Sequence, residues 1–169
     1  MVMLIRMDLA ILTLPPWQMV QPELPGGLTA TESAELIRQK APKGRIDAAL
    51  KFAVLRVGRA LILSQQSQYQ GAKDELELYA NLVIYADGVT RAIAVEKRND
   101  RDSGLKKIEQ TIFRQSPRFE AIIRELPLEY REACAPFAER LKRVRLQAIN
   151  DVLGGGAAIK VPEEDEEPR

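Results

Sequence analysis

The chain has 169 residues, of which 46% are hydrophobic and 29% charged, with a net charge of +1; this is the balance of a globular domain, not of a disordered chain. It contains no histidine and a single cysteine, Cys134, which excludes an internal disulfide, a Cys/His zinc site within one chain and a nucleophile activated by histidine. Carboxylate, Lys, Arg, Tyr and backbone chemistry remain, but no strong motif organises them. No catalytic residue, cofactor or metal is expected, and the balance leans away from an enzyme.

Residues 1–28 read as an apolar segment followed by a loop. Met1–Leu14 is apolar but interrupted by Arg6 and Asp8, and it lacks the basic start and small-residue cleavage site of a signal peptide. No stretch approaches the ~20 apolar residues of a membrane span, so no membrane insertion is expected and the cytoplasm is the expected location. Met7 is an alternative start. Pro15, Pro16, Pro22, Pro25, Gly26 and Gly27 then mark a loop, in which Trp17 either pins the loop to the core or serves as an exposed contact. Apolar side chains on a free terminus are rarely left exposed in a monomer. Leu4, Leu9, Ile11 and Trp17 are therefore expected partner contacts, in self-association or with another protein.

Residues 29–153 form the expected helical domain. Thr29 with Glu32 is a capping box, and the helix it opens should stop near Ala41, ahead of Pro42. A second helix is predicted from about Arg45 to Tyr69. Its apolar face is Ile46, Ala49, Leu50, Ala53, Val54, Val57, Ala60 and Leu61, with Arg45, Lys51, Arg56 and Arg59 off that face and Ser64 to Gln70 exposed.

Residues 72–98 support two readings. Leu76, Leu78, Ala80, Leu82, Ile84 and Ala86 alternate, and Asp87-Gly88 follows, which is a hairpin cue. Leu76, Tyr79, Val83 and Ala86 also make a helix face, with Gly88 suited to the residue just past the C-terminus. The helix is favoured, giving a mainly α bundle of five to six helices with an extended N-terminal segment; the alternative is an α+β fold with a hairpin at 75–98.

Farther on, Asn99–Gly104 reads as a polar turn. Leu105, Ile108, Ile112 and Phe113 define a short helix, and Ser116 with Pro117 starts another carrying Phe119, Ile122, Ile123 and Leu126. After Pro127, a last helix is expected from Pro136 to Leu153, using Phe137, Leu141, Val144, Ala148 and Val152, and Gly154–Gly156 end it. Residues 154–169 form a disordered acidic tail; its stretch from Val161 to Arg169, with Glu163, Glu164, Asp165, Glu166 and Glu167 against Arg169, carries −4 and leaves +5 on the other 160 residues. The three glycines are no phosphate loop, because no Lys-Ser or Lys-Thr follows and they end a helix.

Two constellations bear on function. Arg140, Lys142, Arg143 and Arg145 crowd one helix, with Arg131 just before it; such a cluster suits phosphates or an anionic partner surface. No aromatic interleaves with these residues in sequence, so stacking on single-stranded bases has no platform. The second lies in residues 80–110: Ala80-Asn81-Leu82-Val83-Ile84, Asp87-Gly88, Ile93-Ala94-Val95-Glu96-Lys97-Arg98, then Leu105-Lys106-Lys107-Ile108-Glu109-Gln110. This phrase resembles the central hairpin and following helix of PD-(D/E)xK nucleases. The resemblance implies a metal-binding Asp on the first strand and Glu-x-Lys on the second. Here Asn81 stands at the Asp position and the triplet is Glu96-Lys97-Arg98, so a hard oxygen ligand for Mg²⁺ is missing, and Asp87 replaces it only with a shifted geometry. Cys134, between Ala133 and Ala135, reads as a buried structural thiol.

The expected function is that of a non-catalytic helical interaction, adaptor or assembly protein. The alternatives are a nucleic-acid-associated protein using the basic C-terminal helix, and a degenerate PD-(D/E)xK-like nuclease.

Overall fold

A capping box launches the helical domain. Glu32 donates its backbone N–H to Thr29 Oγ1 at 3.2 Å, and the Thr29 N–H returns the bond to Glu32 Oε2 at 2.9 Å, as the sequence predicts. In the computed structural model, which describes residues 22–154, this box opens α1 (Ala30–Arg38). Pro42 then begins α2 (Pro42–Gln65) at the first helical position, where its missing N–H costs nothing. Beyond them lie α3 (Tyr69–Arg91), a 3-10 turn (Val95–Lys97), α4 (Arg98–Glu125) and α5 (Leu128–Leu153). Gly154 closes α5 in the left-handed region at φ 68°, its N–H donating back to the carbonyls of Asn150 and Asp151. The described residues contain no strand. Leu4, Leu9, Ile11, Trp17, the two methionine starts and the acidic tail lie outside them.

The mainly α bundle is therefore the fold, and the hairpin at 75–98 does not form. Helix α3 is the central element, contacting α2, α4 and α5. It buries both the helix face Leu76, Tyr79, Val83 and Ala86 and the interleaved Leu78, Ala80 and Leu82. A helix covered on nearly every side loses its amphipathic stripe, so its sequence also alternates like a strand. Gly88 is not a helix stop; α3 runs past it to Arg91, and Pro22 occupies the space beside it, 3.2 Å from where a Cβ would sit.

Several other boundaries move. Asn99–Gly104 is the opening of α4, not a turn, and the two short helices expected on either side of Ser116-Pro117 are one helix. Ser116 bonds the Ile112 carbonyl with its hydroxyl at 2.8 Å instead of capping. Pro136 likewise lies inside α5, which starts eight residues earlier at Leu128 behind an extended Pro127. Pro117 and Pro136 stand at matching levels of the α4–α5 hairpin, on either side of the Leu126–Pro127 turn. At the other end of the bundle, α2 stops at Gln65 and Tyr69 belongs to α3; Ser64 is buried, not exposed.

The core is aliphatic. Ala49, Ala53 and Ala60 of α2 are fully buried, and these small side chains let α2 approach α3 closely. Tyr79 meets Phe119 of α4 with ring centroids 5.6 Å apart. Each large side chain so buried contributes about 1.5–3 kcal/mol.

Three helices are also joined by a buried ion network. Arg56 does not lie off the core face as its spacing suggests; it is 3% exposed. Its guanidinium donates to Glu32 of α1 and, at 3.1 and 3.3 Å, to both oxygens of Glu75 on α3. Burial pushes the Glu32 carboxyl up, but the Thr29 hydrogen bonds and the charges of Arg56 and Arg59 outweigh it and hold the group below its ordinary range.

Candidate functional site

The basic helix does not present one cationic face. Arg131 donates to the carbonyls of Arg124 and Leu126 at 2.9 and 3.2 Å, closing the C-terminus of α4. Five residues carry a helix through about 500°, so Arg140 and Arg145 leave different flanks of α5. Arg140 lies 5.4 Å over the Phe137 ring, which Lys73 of α3 approaches at 5.8 Å. Arg145 points the other way, to α4, bonding Glu109 at 3.1 Å. Lys142 pairs with Glu139 at 2.7 Å on the solvent side, and Arg143 is half-buried. Of the five expected contact residues, one caps a neighbouring helix and two meet carboxylates of the chain itself.

The fold supplies an aromatic that the sequence reading placed inward. Phe113 of α4 is 59% exposed, and Arg145 lays its guanidinium 4.9 Å over the ring, a favourable cation–π distance. One turn along α4, a cavity of about 140 Å³ opens between the helices, lined by Glu109 and Gln110 of α4 and by Ala148, Ile149, Val152 and Leu153 of α5, with Lys106 at its edge. Leu153 is 54% exposed. Phe113 and the cavity thus lie one helical turn apart on the α4–α5 seam, called the groove below, and are linked by Arg145, which covers the ring and bonds the cavity-lining Glu109. The signal was present in sequence: Ile108 and Ile112 already fill the inward stripe of α4, and Phe113 stands 100° away from Ile112.

Other polar groups are placed as follows. Lys43, Lys97 and Lys107 share a cleft of about 250 Å³ with Asp47 and Asp100 over Ile46 and Ile93, and Lys107 is bonded to Asp47 at 2.6 Å. Asp87 is buried and paired with Arg91 at 2.7 Å, and Arg91 reaches Asp151 of α5 at 2.6 Å. Among the described residues no cluster of three Cys, Asp or Glu side chains could hold a metal ion. The nuclease-like phrase falls on different elements: Asn81 lies on α3, Glu96 and Lys97 on the 3-10 turn and Arg98 at the start of α4. The paired strands that the resemblance implies are not there. Cys134 is fully buried, and burial pushes its thiol up to about 11.

No family model, curated protein or solved structure matches the chain. Function is therefore read from the groove itself. It combines an exposed ring, a largely aliphatic cavity, the cations Arg145 and Lys106 and the single carboxylate Glu109. No described helix is long and apolar enough to cross a membrane.

Proposed function

We propose that this chain is a non-catalytic helical interaction module, of adaptor or assembly type, that receives a partner protein segment in the α4–α5 groove. The observation that carries this reading is the exposed Phe113 ring under Arg145, one helical turn along α4 from the cavity at Ile149 and Leu153. Aromatic and Arg side chains at the centre of an apolar patch are the usual anchors of protein interfaces. A cytoplasmic setting and a second contact through Leu4, Leu9 and Ile11 belong to the same proposal, with those residues driving self-association.

The test is a photo-crosslinking residue at Gln110 in the full chain, compared with the same chain carrying Phe113→Ser and Leu153→Ser. The expected result is a discrete protein crosslink to a segment containing apolar and acidic residues, lost in the double variant while helical circular dichroism is unchanged. Crosslinking indifferent to the two substitutions overturns the reading. So does tight binding of single-stranded or duplex DNA or RNA that weakens steeply with salt, since each phosphate neutralised on B-DNA adds about 0.9 to the salt slope; that outcome selects the nucleic-acid alternative. Light scattering on Leu9→Asp/Ile11→Asp checks the self-association part.

A further inference from the structure

We infer that the cleft between the start of α2, the 3-10 turn and the start of α4 is a binding site for a small organic carboxylate, with one carboxyl group on a compact apolar body the size of a single ring. The site shares no lining residue with the α4–α5 groove, so it stands or falls apart from the reading of that face.

Three observations converge. The first is the floor. Ile46 of α2 and Ile93, just past the end of α3, are 2% and 7% exposed, and together they line the base of the cleft with the buried Gly104 of α4. Gly104 sits directly against Thr90 and Ile46, so this floor is built before any ligand arrives. The volume of about 250 Å³ lies just below the ~300–1,000 Å³ usual for sites that take drug-sized molecules. A single ring or a short branched chain fits such a space; a nucleotide does not.

The second is the charge above that floor. Lys43 comes from α2, Lys97 from the 3-10 turn and Lys107 from α4. Lys107 is committed to Asp47 at 2.6 Å. Among the described residues neither Lys43 nor Lys97 has an ion-pair partner, and neither has Asp100. Two ammonium groups from separate elements are therefore free to receive an anion over apolar side chains. An apolar body set on Ile46 and Ile93 places its charged end among them, the division of labour usual in small-molecule sites. The positive end of the α2 dipole acts in the same sense.

The third is the choice of anion. The lining carries Lys43, Lys97 and Lys107 against Asp47 and Asp100, a net charge of 3 − 2 = +1. One negative charge balances it. A phosphate monoester brings close to two at neutral pH, and the second meets the unpaired Asp100. The cleft thus favours a carboxylate over a phosphate, and Asp100 is the residue that makes the distinction.

The experiment follows amide resonances of the full chain at pH 7.5 while four probes are added: benzoate, acetate, benzyl alcohol and phenyl phosphate. Benzoate is expected to shift Ile93, Lys97 and Gly104 along one saturable curve. Acetate lacks the ring and benzyl alcohol lacks the charge, so each should bind at least about tenfold more weakly. Lys43→Gln with Lys97→Gln should weaken benzoate by about tenfold. Asp100→Asn should tighten benzoate and tighten phenyl phosphate more; because it gains affinity, it keeps the test decisive if the double lysine variant folds poorly. Acetate binding as well as benzoate overturns the inference, since it shows surface ammonium groups without an apolar site. Benzyl alcohol binding as well as benzoate overturns it too, since the lysines then play no part. Phenyl phosphate binding more tightly than benzoate to the parent chain overturns the assignment of a carboxylate. So does the absence of a saturable shift with any probe, or a benzoate affinity that ignores Asp100→Asn.

Discussion

The side chain of Thr90 occupies the space that any side chain on Gly104 would need: a Cβ built there lies 2.7 Å from Thr90 Cγ2 and 2.9 Å from its Oγ1. Thr90 is fully buried and its hydroxyl donates to the Ala86 carbonyl at 2.8 Å, so it has no room to yield. The α3–α4 crossing is set by this contact. Gly104→Ala should gain about 1 kcal/mol of helix propensity but lose more to overpacking, typically ~1–3 kcal/mol. Urea unfolding is expected to show net destabilisation in the single variant and none when Thr90→Ala is already present. Equal effects in the two backgrounds would mean that the contact does not limit the approach.

The Arg56 network gives a prediction of opposite character. Arg56→Met leaves Glu32 and Glu75 facing each other without their shared cation, and breaking a buried pair in this way costs about 3–5 kcal/mol. Adding Glu32→Gln and Glu75→Gln to Arg56→Met should recover much of that loss. Arg56→Lys should not behave conservatively, because an ammonium lacks the planar fork that meets two carboxylates on different helices. Thermal melts of the three variants and the parent chain check the order.

The network also sets an acid limit. The Glu32 carboxyl is held below its ordinary 4.5 in the folded chain. A depressed folded value stabilises the native state above the unfolded value and is lost as pH falls through the folded one. Stability should therefore drop as pH falls below about 4.5, and Glu32→Gln should be less stable at pH 7 but show a shallower drop. A variant whose pH profile runs parallel to that of the parent chain would remove Glu32 from the account.

Two phenylalanines on one helix should respond very differently. Phe119 is buried against Tyr79, and Phe119→Ala should cost about 3–5 kcal/mol. Phe113 is mostly exposed, and Phe113→Ala should change stability by less than about 1 kcal/mol. The contrast measures whether Phe113 serves the fold or the surface.

Cys134 offers a readout of global opening. Its thiol is fully buried and shifted up to about 11, and thiolate is the reactive form. At pH 8 the native chain should resist a thiol reagent that labels the unfolded chain at once. Labelling at the unfolded rate without denaturant would show that the α3–α5 contact opens readily.

The sequence marks elements well where one face is apolar and poorly where that condition fails. The Thr29 capping box and the stripe from Ile46 to Ala60 read directly apart from Val54, which is exposed, because capping and 3.6-residue spacing are local. Helix α3 reads ambiguously because burial on nearly every side erases the stripe. The breaks expected at Ser116-Pro117 and Pro136 are not breaks, since α4 and α5 are long enough for tertiary contacts on both sides to carry them past one missing hydrogen bond. For the groove, the cations are visible in sequence but their partners are not. Arg145 meets Phe113 and Glu109 across a helix–helix contact, which no spacing within α5 reveals. Arg56 shows the same limit from the other side, as its neutralising carboxylates come from two other helices.

The matching levels of Pro117 and Pro136 have a mechanical consequence. Neither residue has an N–H, so the carbonyls of Phe113 and Glu132 each lose their rung of the helical ladder, and both rungs are missing at the same height of the α4–α5 hairpin. The pair is thereby divided into two stiff levers joined at one compliant level. One lever carries the Leu126–Pro127 turn, and the other carries the groove from Phe113 to Leu153. The two missing rungs predict that any bending of the hairpin falls at that level, between the turn and the groove.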